Sequence, residues 1–465
     1  MELPKDIATC HLLIKVLLEQ NQELAKRIAE LESRLDQNSS NSNRPPSSDG
    51  LKKRIVKPAF PIKKGKKRGG QEGHKGKTLE FVSAPDHLMN HAPARCSCGY
   101  SLDEVAKQTI ESRQVFDLPE PKLEVTEHRL QSCVCPNCDR VNVGQFPKQV
   151  PAYVQYGARV RSLAVLLNVG FKLSHSRIRQ FFGDVFGYHL NESTQISSNK
   201  KCYHALSQSE EMIKQKLLDS PVNHFDETGL RVAGKTHWLH NCSNESYTYW
   251  FIHSKRGKIA LRDEPSLIPN YEGWAVHDCW PSYFHFDQCK HAICGAHLLR
   301  ELQGLIEQKS IWADRMRDLL LYAYHKSDKG KSVVRDFGFI TRQYERFCRM
   351  GEKEEPPPVY NYKNKRSKKT KGRNLLERLI KHQDGVLAFA QFEEVPFTNN
   401  QAERDVRPAK IKQKMAGCLR TFNGAQIYAR IQGFISTTRK HQLNVFNELV
   451  ATFSGHNFLV DPEGC

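Results

Sequence analysis

The stretch Val222-Asn-His-Phe-Asp-Glu-Thr-Gly-Leu-Arg-Val232 decides the fold. Apolar and β-branched residues surround Asp226, and Gly229 follows three residues on, so the run reads as a buried strand with an acid inside it. Carboxylates are poor strand residues and costly to bury, so this one needs a reason. A second stretch, Trp274-Ala-Val-His-Asp-Cys-Trp280, places Asp278 at the end of another short buried run. A third, Thr398-Asn-Asn-Gln-Ala-Glu-Arg404, opens a helix with Glu403 in its first turn.

Metal coordination supplies the reason. Three carboxylates on one core can hold two Mg²⁺ (or Mn²⁺) ions ~3.5–4 Å apart, one for the attacking and one for the leaving oxygen of a phosphodiester displacement. Magnesium prefers oxygen ligands and keeps waters, so it requires no histidine or thiolate. A salt-bridged structural aspartate is the competing reading at each strand. For Glu403 the competitor is a capping box, with Asn400 as N-cap and Glu403 at the third helical position. The same helix carries Arg404, Arg407, Lys410, Lys412 and Lys414. Such an excess of cations is unfavourable in a first turn and suits an adjoining phosphate backbone.

Outward from Asp226, three strands are expected: Asn223 to Val232, His237 to Asn241 and Tyr247 to Ile252, with turns at Gly234-Lys and Ser243-Asn. The Asp278 strand should then lie parallel to the Asp226 strand, side by side, in the order of a ribonuclease-H-like sheet. Further on, Cys294-Gly-Ala-His297-Leu-Leu-Arg300 opens a helix on which Cys294 and His297 share a face, where simple packing is the competing reading because no second ligand pair for zinc stands nearby. Residues 311–390 read as a helical insertion. Its basic run from Lys363 to Arg373, with Lys365, Arg366, Lys368 and Lys369, should be a mobile loop suited to DNA contact.

Bulk properties agree. A 465-residue chain suggests several folding units, and a net charge of +19 with a pI near 9.3 points to a polyanionic partner. No eighteen-residue apolar run or signal segment is present, so a cytoplasmic, nucleoid-associated protein is expected, with no membrane contact. Of fourteen cysteines, five crowd into two clusters, which in a reducing compartment means metal rather than disulfides. Cys96-Ser-Cys98 and Cys135-Pro-Asn-Cys138 offer four thiolates for a structural Zn²⁺, with strand-like segments such as Lys122 to Leu130 between them. The first knuckle is one residue tighter than usual, and Cys133 could substitute for a neighbour.

Near the N-terminus, Ile14, Leu17, Asn21, Leu24, Ile28, Leu31 and Leu35 form a heptad seam that favours self-association in two parallel strands. A helix packed on its own chain would read the same way. From Asn38 a Ser/Asn/Pro run leads into Lys52, Lys53, Arg54, Lys63, Lys64, Lys66, Lys67 and Arg68, a basic linker for phosphate contact. Tyr156 to Lys200 reads as short helices with breaks at Leu173-Ser-His-Ser and Gly187, compatible with a helix-turn-helix.

Taken together, the zipper, the linker, the cysteine module, His224-Phe-Asp-Glu-Thr228, His277-Asp-Cys-Trp280 and Thr398-Asn-Asn-Gln-Ala-Glu-Arg404 resemble the bacterial insertion sequence 66 family of transposases. The resemblance covers nearly the whole chain. It implies a DDE-type recombinase with Asp226, Asp278 and Glu403 as its acidic triad, a zinc finger, and helical DNA binding before the core. It also implies accessory proteins of the same element, and a role near the site for Cys294, His297 and Arg300.

The expected architecture is therefore multidomain α/β. It comprises a coiled-coil helix (1–37), a basic linker (38–77), a zinc-binding β module (78–150) and a helical DNA-binding segment (151–215). A ribonuclease-H-like core (216–310 and 391–435) follows, interrupted by the helical insertion (311–390) and ending in a helical tail (436–465). The expected activity is cleavage of terminal inverted repeats in double-stranded DNA and their joining to target DNA. A non-catalytic DNA-binding or regulatory protein is the alternative, and a plain nuclease a weaker third.

Overall fold

The computed structural model describes residues 6–35, 37–38, 41–42, 79–328, 330, 332–358 and 369–461. Lys52, Lys53, Arg54, Lys63, Lys64, Lys66, Lys67, Arg68, Lys365, Arg366 and Lys368 lie outside the described residues. The described chain is mixed α/β and about half helical.

Helix α1 (Ile7–Leu35) leaves its seam exposed, with Ile14, Leu17, Leu24, Ile28, Leu31 and Leu35 all open to solvent. The next part, residues 79–150, contains no buried residue among those described. Its regular structure is one antiparallel hairpin, β1 (Ser132–Val134) with β2 (Val141–Val143). Lys122 to Leu130 forms no strand: its alternation is right, yet no neighbouring edge takes up its backbone groups.

Helices α2 (Ala158–Val165), α3 (His175–Phe186), α4 (Glu192–Ala205) and α5 (Ser207–Leu218) follow. Gly187 closes α3 in the left-handed conformation. Between α2 and α3 the helix widens into a π turn over Leu166–Gly170. Such a turn frees carbonyls, and two lysines take them up. Lys172 donates to Val169 O at 2.5 Å and Gly170 O at 3.3 Å, and Lys412 donates to Asn168 O at 3.0 Å.

Strands β3 (Val222–Val232), β4 (Lys235–Ser243), β5 (Thr248–His253), then helix α6 (Lys258–Arg262), then β6 (Trp274–His277) and β7 (Lys290–Ile293) complete the sheet in the order β5-β4-β3-β6-β7. The first three pair antiparallel, whereas β3 pairs β6 and β6 pairs β7 in parallel. The first hairpin turns at Ala233 (φ +48°) and Gly234 (φ +76°), with Val232 opposite Lys235. Two successive left-handed residues match the twist of the flanking strands, which sets the turn one residue earlier than expected.

The remaining helices are α7 (Gly295–Ile306), α8 (Ile311–Lys326), α9 (Phe337–Glu354), α10 (Lys371–Lys381), α11 (Gln383–Gln391), α12 (Asn400–Ala416), α13 (Phe422–Lys440) and α14 (Val445–Ser454). Lys371 to Arg373, expected in the basic loop, instead form the first turn of α10, because Thr370 caps it by accepting from Arg373 N. No helix among the described residues is long and apolar enough to cross a membrane.

Both faces of the sheet are covered. One hydrophobic cluster joins β3, β4 and β5 to α2, α4, α5, α12, α13 and α14; a second joins β6 and β7 to α7 through α11. Strand β6 shows the period of two directly, with Ala275 in the first cluster and Trp274 and Val276 in the second. Trp312, fully buried on α8, anchors the second cluster. A buried side chain of this kind contributes about 1.5–3 kcal/mol through the hydrophobic effect. The helices of 311–390 thus cover one flank of the sheet.

Candidate active site

Strand β3 carries Asp226 in the sheet's centre, and its parallel neighbour β6 ends one residue before Asp278. Asp226 Oδ1 accepts from the Glu227 backbone N–H at 2.9 Å, and Asp278 Oδ1 from that of Trp280 at 3.0 Å. Burial holds the Asp226 carboxyl well above the usual range, and the negative charges of Glu227, Asp278 and Glu403 push the same way. Asp278 is likewise raised by burial, against the Trp280 N–H and the Arg256 charge. Among the described residues Asp226 makes no ion pair, so a salt bridge does not account for it. Partly buried oxygen donors, of which Asp226 has no ion pair among the described residues, suit a hard divalent ion.

Glu403 stands close enough for its charge to act on Asp226, but its carboxylate does not meet those of Asp226 and Asp278 within 4.8 Å; it meets Cys294 and His297 instead, held by a tie that the sequence reading missed. Helix α12 starts at Asn400 with Asn399 as its cap residue, so Glu403 falls one position past a capping box. Asn399 makes no side-chain cap bond because its amide is used elsewhere. Its Nδ2 donates to Phe225 O at 2.8 Å and its Oδ1 accepts from His224 Nδ1 at 2.8 Å. Those bonds fix the amide orientation and put the imidazole proton on Nδ1. Burial lowers the His224 pKa to about 4.

The loop before α12 is also locked to the start of α7. Asn399 N–H donates to Cys294 Sγ at 3.1 Å, and Gly295 N–H to Phe397 O at 2.8 Å. Glycine allows this close approach, since a Cβ at 295 would lie 2.2 Å from the Phe397 ring and force it to shift. Cys294, His297 and Arg300 consequently face Glu403. His297 Nε2 lies 3.9 Å and Arg300 Nη2 3.5 Å from Glu403 Oε1. Burial raises the Cys294 thiol to about 11 and lowers the His297 imidazole to about 3.

On the other side of β3 stands Glu227, another residue the sequence reading passed over. It accepts from Arg256 Nε at 2.7 Å and from Tyr283 OH at 2.7 Å. Arg256 in turn lies over the rings of Trp280 and Trp238, 4.3 and 5.0 Å from their centroids. The turn bearing Asp278 is held from behind. Cys279, left-handed at φ +68°, donates its N–H to His277 Nδ1 at 3.2 Å. His277 therefore carries its proton on Nε2 and donates to His291 Nδ1 at 3.0 Å, and His291 Nε2 donates to Phe286 O at 3.1 Å.

The cations of α12 divide. Arg404, Arg407 and Lys410 are exposed along one side at helical spacing. Lys410 also donates to Gly229 O at 2.6 Å, and buried Lys412 serves the π turn. Lys369 pairs with Glu377 at 2.5 Å.

The cysteine module contains two turns of the same design. Cys96 N–H donates to Tyr100 O and Cys135 N–H to Arg140 O, both at 2.9 Å. A left-handed residue directly follows the second cysteine of each, Gly99 at φ +91° and Asp139 at φ +53°. The Cys98 N–H and thiol lower the Cys96 pKa, and the Asn137 N–H and Cys138 thiol lower that of Cys135. These are pre-bent cysteine pairs, whose thiolates are the donor chemistry of structural zinc. Cys133 lies on β1, before the second turn.

Three family models match the chain. The transposase IS66 family matches over residues 153–427, and the zinc-finger binding domain of transposase IS66 over residues 93–139. A family of unknown function matches over residues 2–80. No curated protein matches.

Proposed function

Since the chain belongs to the transposase IS66 family, whose model spans more than half its length, and carries that family's zinc-finger domain, we propose that it cuts and joins DNA at the ends of a mobile element. The observation that carries this reading is the adjacency of β3 and β6. It sets Asp226 on β3 beside parallel β6, one residue past whose end Asp278 lies, with Glu403 in the first turn of α12 near enough for its charge to act on Asp226. Three antiparallel strands followed by two parallel ones support a ribonuclease-H-like core.

Asp226, Asp278 and Glu403 would hold Mg²⁺ or Mn²⁺. When bound, such ions polarise the scissile phosphate and stabilise the attacking and leaving oxygens. Water displaces the 3′ oxygen at the element end, breaking one P–O bond and leaving a 3′-hydroxyl. That hydroxyl then displaces a target phosphodiester oxygen. Arg404, Arg407 and Lys410 position the DNA backbone by phosphate contact, and Lys369 with its basic neighbours adds to this. Cys96, Cys98, Cys135 and Cys138 hold the structural zinc of the finger. The exposed seam of α1 pairs two copies so that both element ends are held, and helices α2 to α4 contribute to repeat binding. Double-stranded repeats and target DNA in the nucleoid, a second copy of the chain, and companion proteins of the element are its partners.

The test is a gel assay of purified protein, labelled terminal-repeat duplex and Mg²⁺. The reading expects cut and joined products with the wild type and their loss in Asp226→Asn, Asp278→Asn and Glu403→Gln. Repeat binding without strand breakage under Mg²⁺ or Mn²⁺ would instead make it a regulatory DNA-binding protein.

A further inference from the structure

Cys294, His297 and Glu403 each present a ligand atom, and the three atoms lie within 4.8 Å of one another. Among the described residues this is the one group of three or more histidine, cysteine or acidic side chains that converges so closely. The two finger turns stand as separate pairs.

The arrangement is built into the backbone. Cys294 precedes α7 and His297 follows one turn later, a spacing that turns both toward the same side. Glu403 comes from α12 opposite, held in register by the Asn399 N–H on Cys294 Sγ. Cys294 is fully buried, while Glu403 keeps 28% of its side chain exposed, which leaves an entry route from solvent. His297 Nδ1 is buried without a hydrogen-bond partner. A buried polar atom in that state is compatible with a bound ion or water, and the ring's other nitrogen, Nε2, is the one 3.9 Å from Glu403.

The donor set differs from that of the aspartates. Thiolate, imidazole and one carboxylate are ligands for zinc-class ions, whereas magnesium takes oxygen alone. Three protein ligands with a fourth position open is the usual count for an accessible zinc site. The Arg300 guanidinium, 3.5 Å from Glu403, is the cation that the carboxylate faces when no ion is bound.

We propose that Cys294, His297 and Glu403 bind one Zn²⁺, and that this ion holds Glu403 on the α7 side, away from Asp226 and Asp278. Binding releases the Cys294 thiol proton to solvent, since the thiolate is the ligand. The ion is thus an antagonist of strand cutting. Only that consequence rests on reading Glu403 as a ligand of the Mg²⁺ ions; the site itself does not.

The experiment counts zinc bound per full-length chain by competition with a chromogenic chelator, in wild type, Cys294→Ser, His297→Gln and Cys135→Ser/Cys138→Ser. The expected result is one zinc fewer, or at least ~10-fold weaker binding of it, in the first two variants. The finger variant should lose a different zinc and keep this one. Serine at 294 preserves an acceptor for the Asn399 N–H, and His297→Gln gives an independent readout should that variant fold poorly. Wild-type zinc count and affinity in both Cys294→Ser and His297→Gln would overturn the site. In the cutting assay, zinc should inhibit the wild type at ~10-fold lower concentration than Cys294→Ser; equal inhibition overturns the antagonism. A chain that binds this zinc yet cuts nothing under Mg²⁺ would sink the strand-cutting reading while the site stands.

Discussion

Asn399 joins the strand of Asp226 to the helix of Glu403, accepting from His224 Nδ1 and donating to Phe225 O, both at 2.8 Å. Both bonds lie inside the protein, and the amide is 1% exposed. Losing buried bonds strands their partners, which costs about 1–3 kcal/mol for each group left unsatisfied. Asn399→Ala should therefore destabilise the chain by roughly 2–3 kcal/mol in urea unfolding. It should also reduce strand cutting more than repeat binding, because it frees the helix that positions Glu403. Unchanged cutting would mean that the tie does not set the acid.

Gly295 is the second fixed point. A methyl at 295 would meet Phe397, whose ring centroid lies 4.6 Å from those of both Phe389 and Tyr324. Gly295→Ala should cost about 1–3 kcal/mol by overpacking. Adding Phe397→Leu should recover part of that loss, read as a non-additive pair in thermal unfolding.

The charge on Asp226 gives a pH dependence with a definite sign. Its folded-state pKa is raised above 3.8, so the folded metal-free chain holds a proton that the unfolded chain releases. That contribution is present at low pH and is lost as pH rises above about 4 through the folded-state value. Asp226→Asn carries no such charge. It should be more stable than the metal-free wild type by about 1 kcal/mol near neutral pH, with the gap closing as pH falls toward about 4. A gap independent of pH would show that the carboxylate is not ionised against its surroundings.

The finger makes a different prediction. Residues 79–150 have no buried side chain among those described, so no apolar core can hold them in one shape. Metal must do so. Chelation, or Cys135→Ser/Cys138→Ser, should make this segment protease-sensitive and weaken DNA binding, while the thermal transition of the core stays within a few degrees. A segment that resists proteolysis without zinc would contradict this.

What the sequence made legible follows from range. The strands around Asp226 are long, aromatic and β-branched, and the parallel seat of Asp278 follows from their order. Lys290–Ile293 is too short for any periodicity to mark it as a strand. Asn399 was hidden because two asparagines stand together and only tertiary contact decides which one caps. Glu227 was hidden because its partners, Arg256 and Tyr283, lie 29 and 56 residues away. The apparent phosphate ligand Lys412 proved to serve a π turn, a local widening that apolar periodicity cannot reveal.

The most direct measurement is Mn²⁺ binding to the full chain by electron paramagnetic resonance, with Mg²⁺ as competitor. The account predicts a Mg²⁺-displaceable Mn²⁺ signal in the wild type that Asp226→Asn, Asp278→Asn and Glu403→Gln each weaken at least ~10-fold. Wild-type affinity in all three variants would contradict the claim that these acids share a metal.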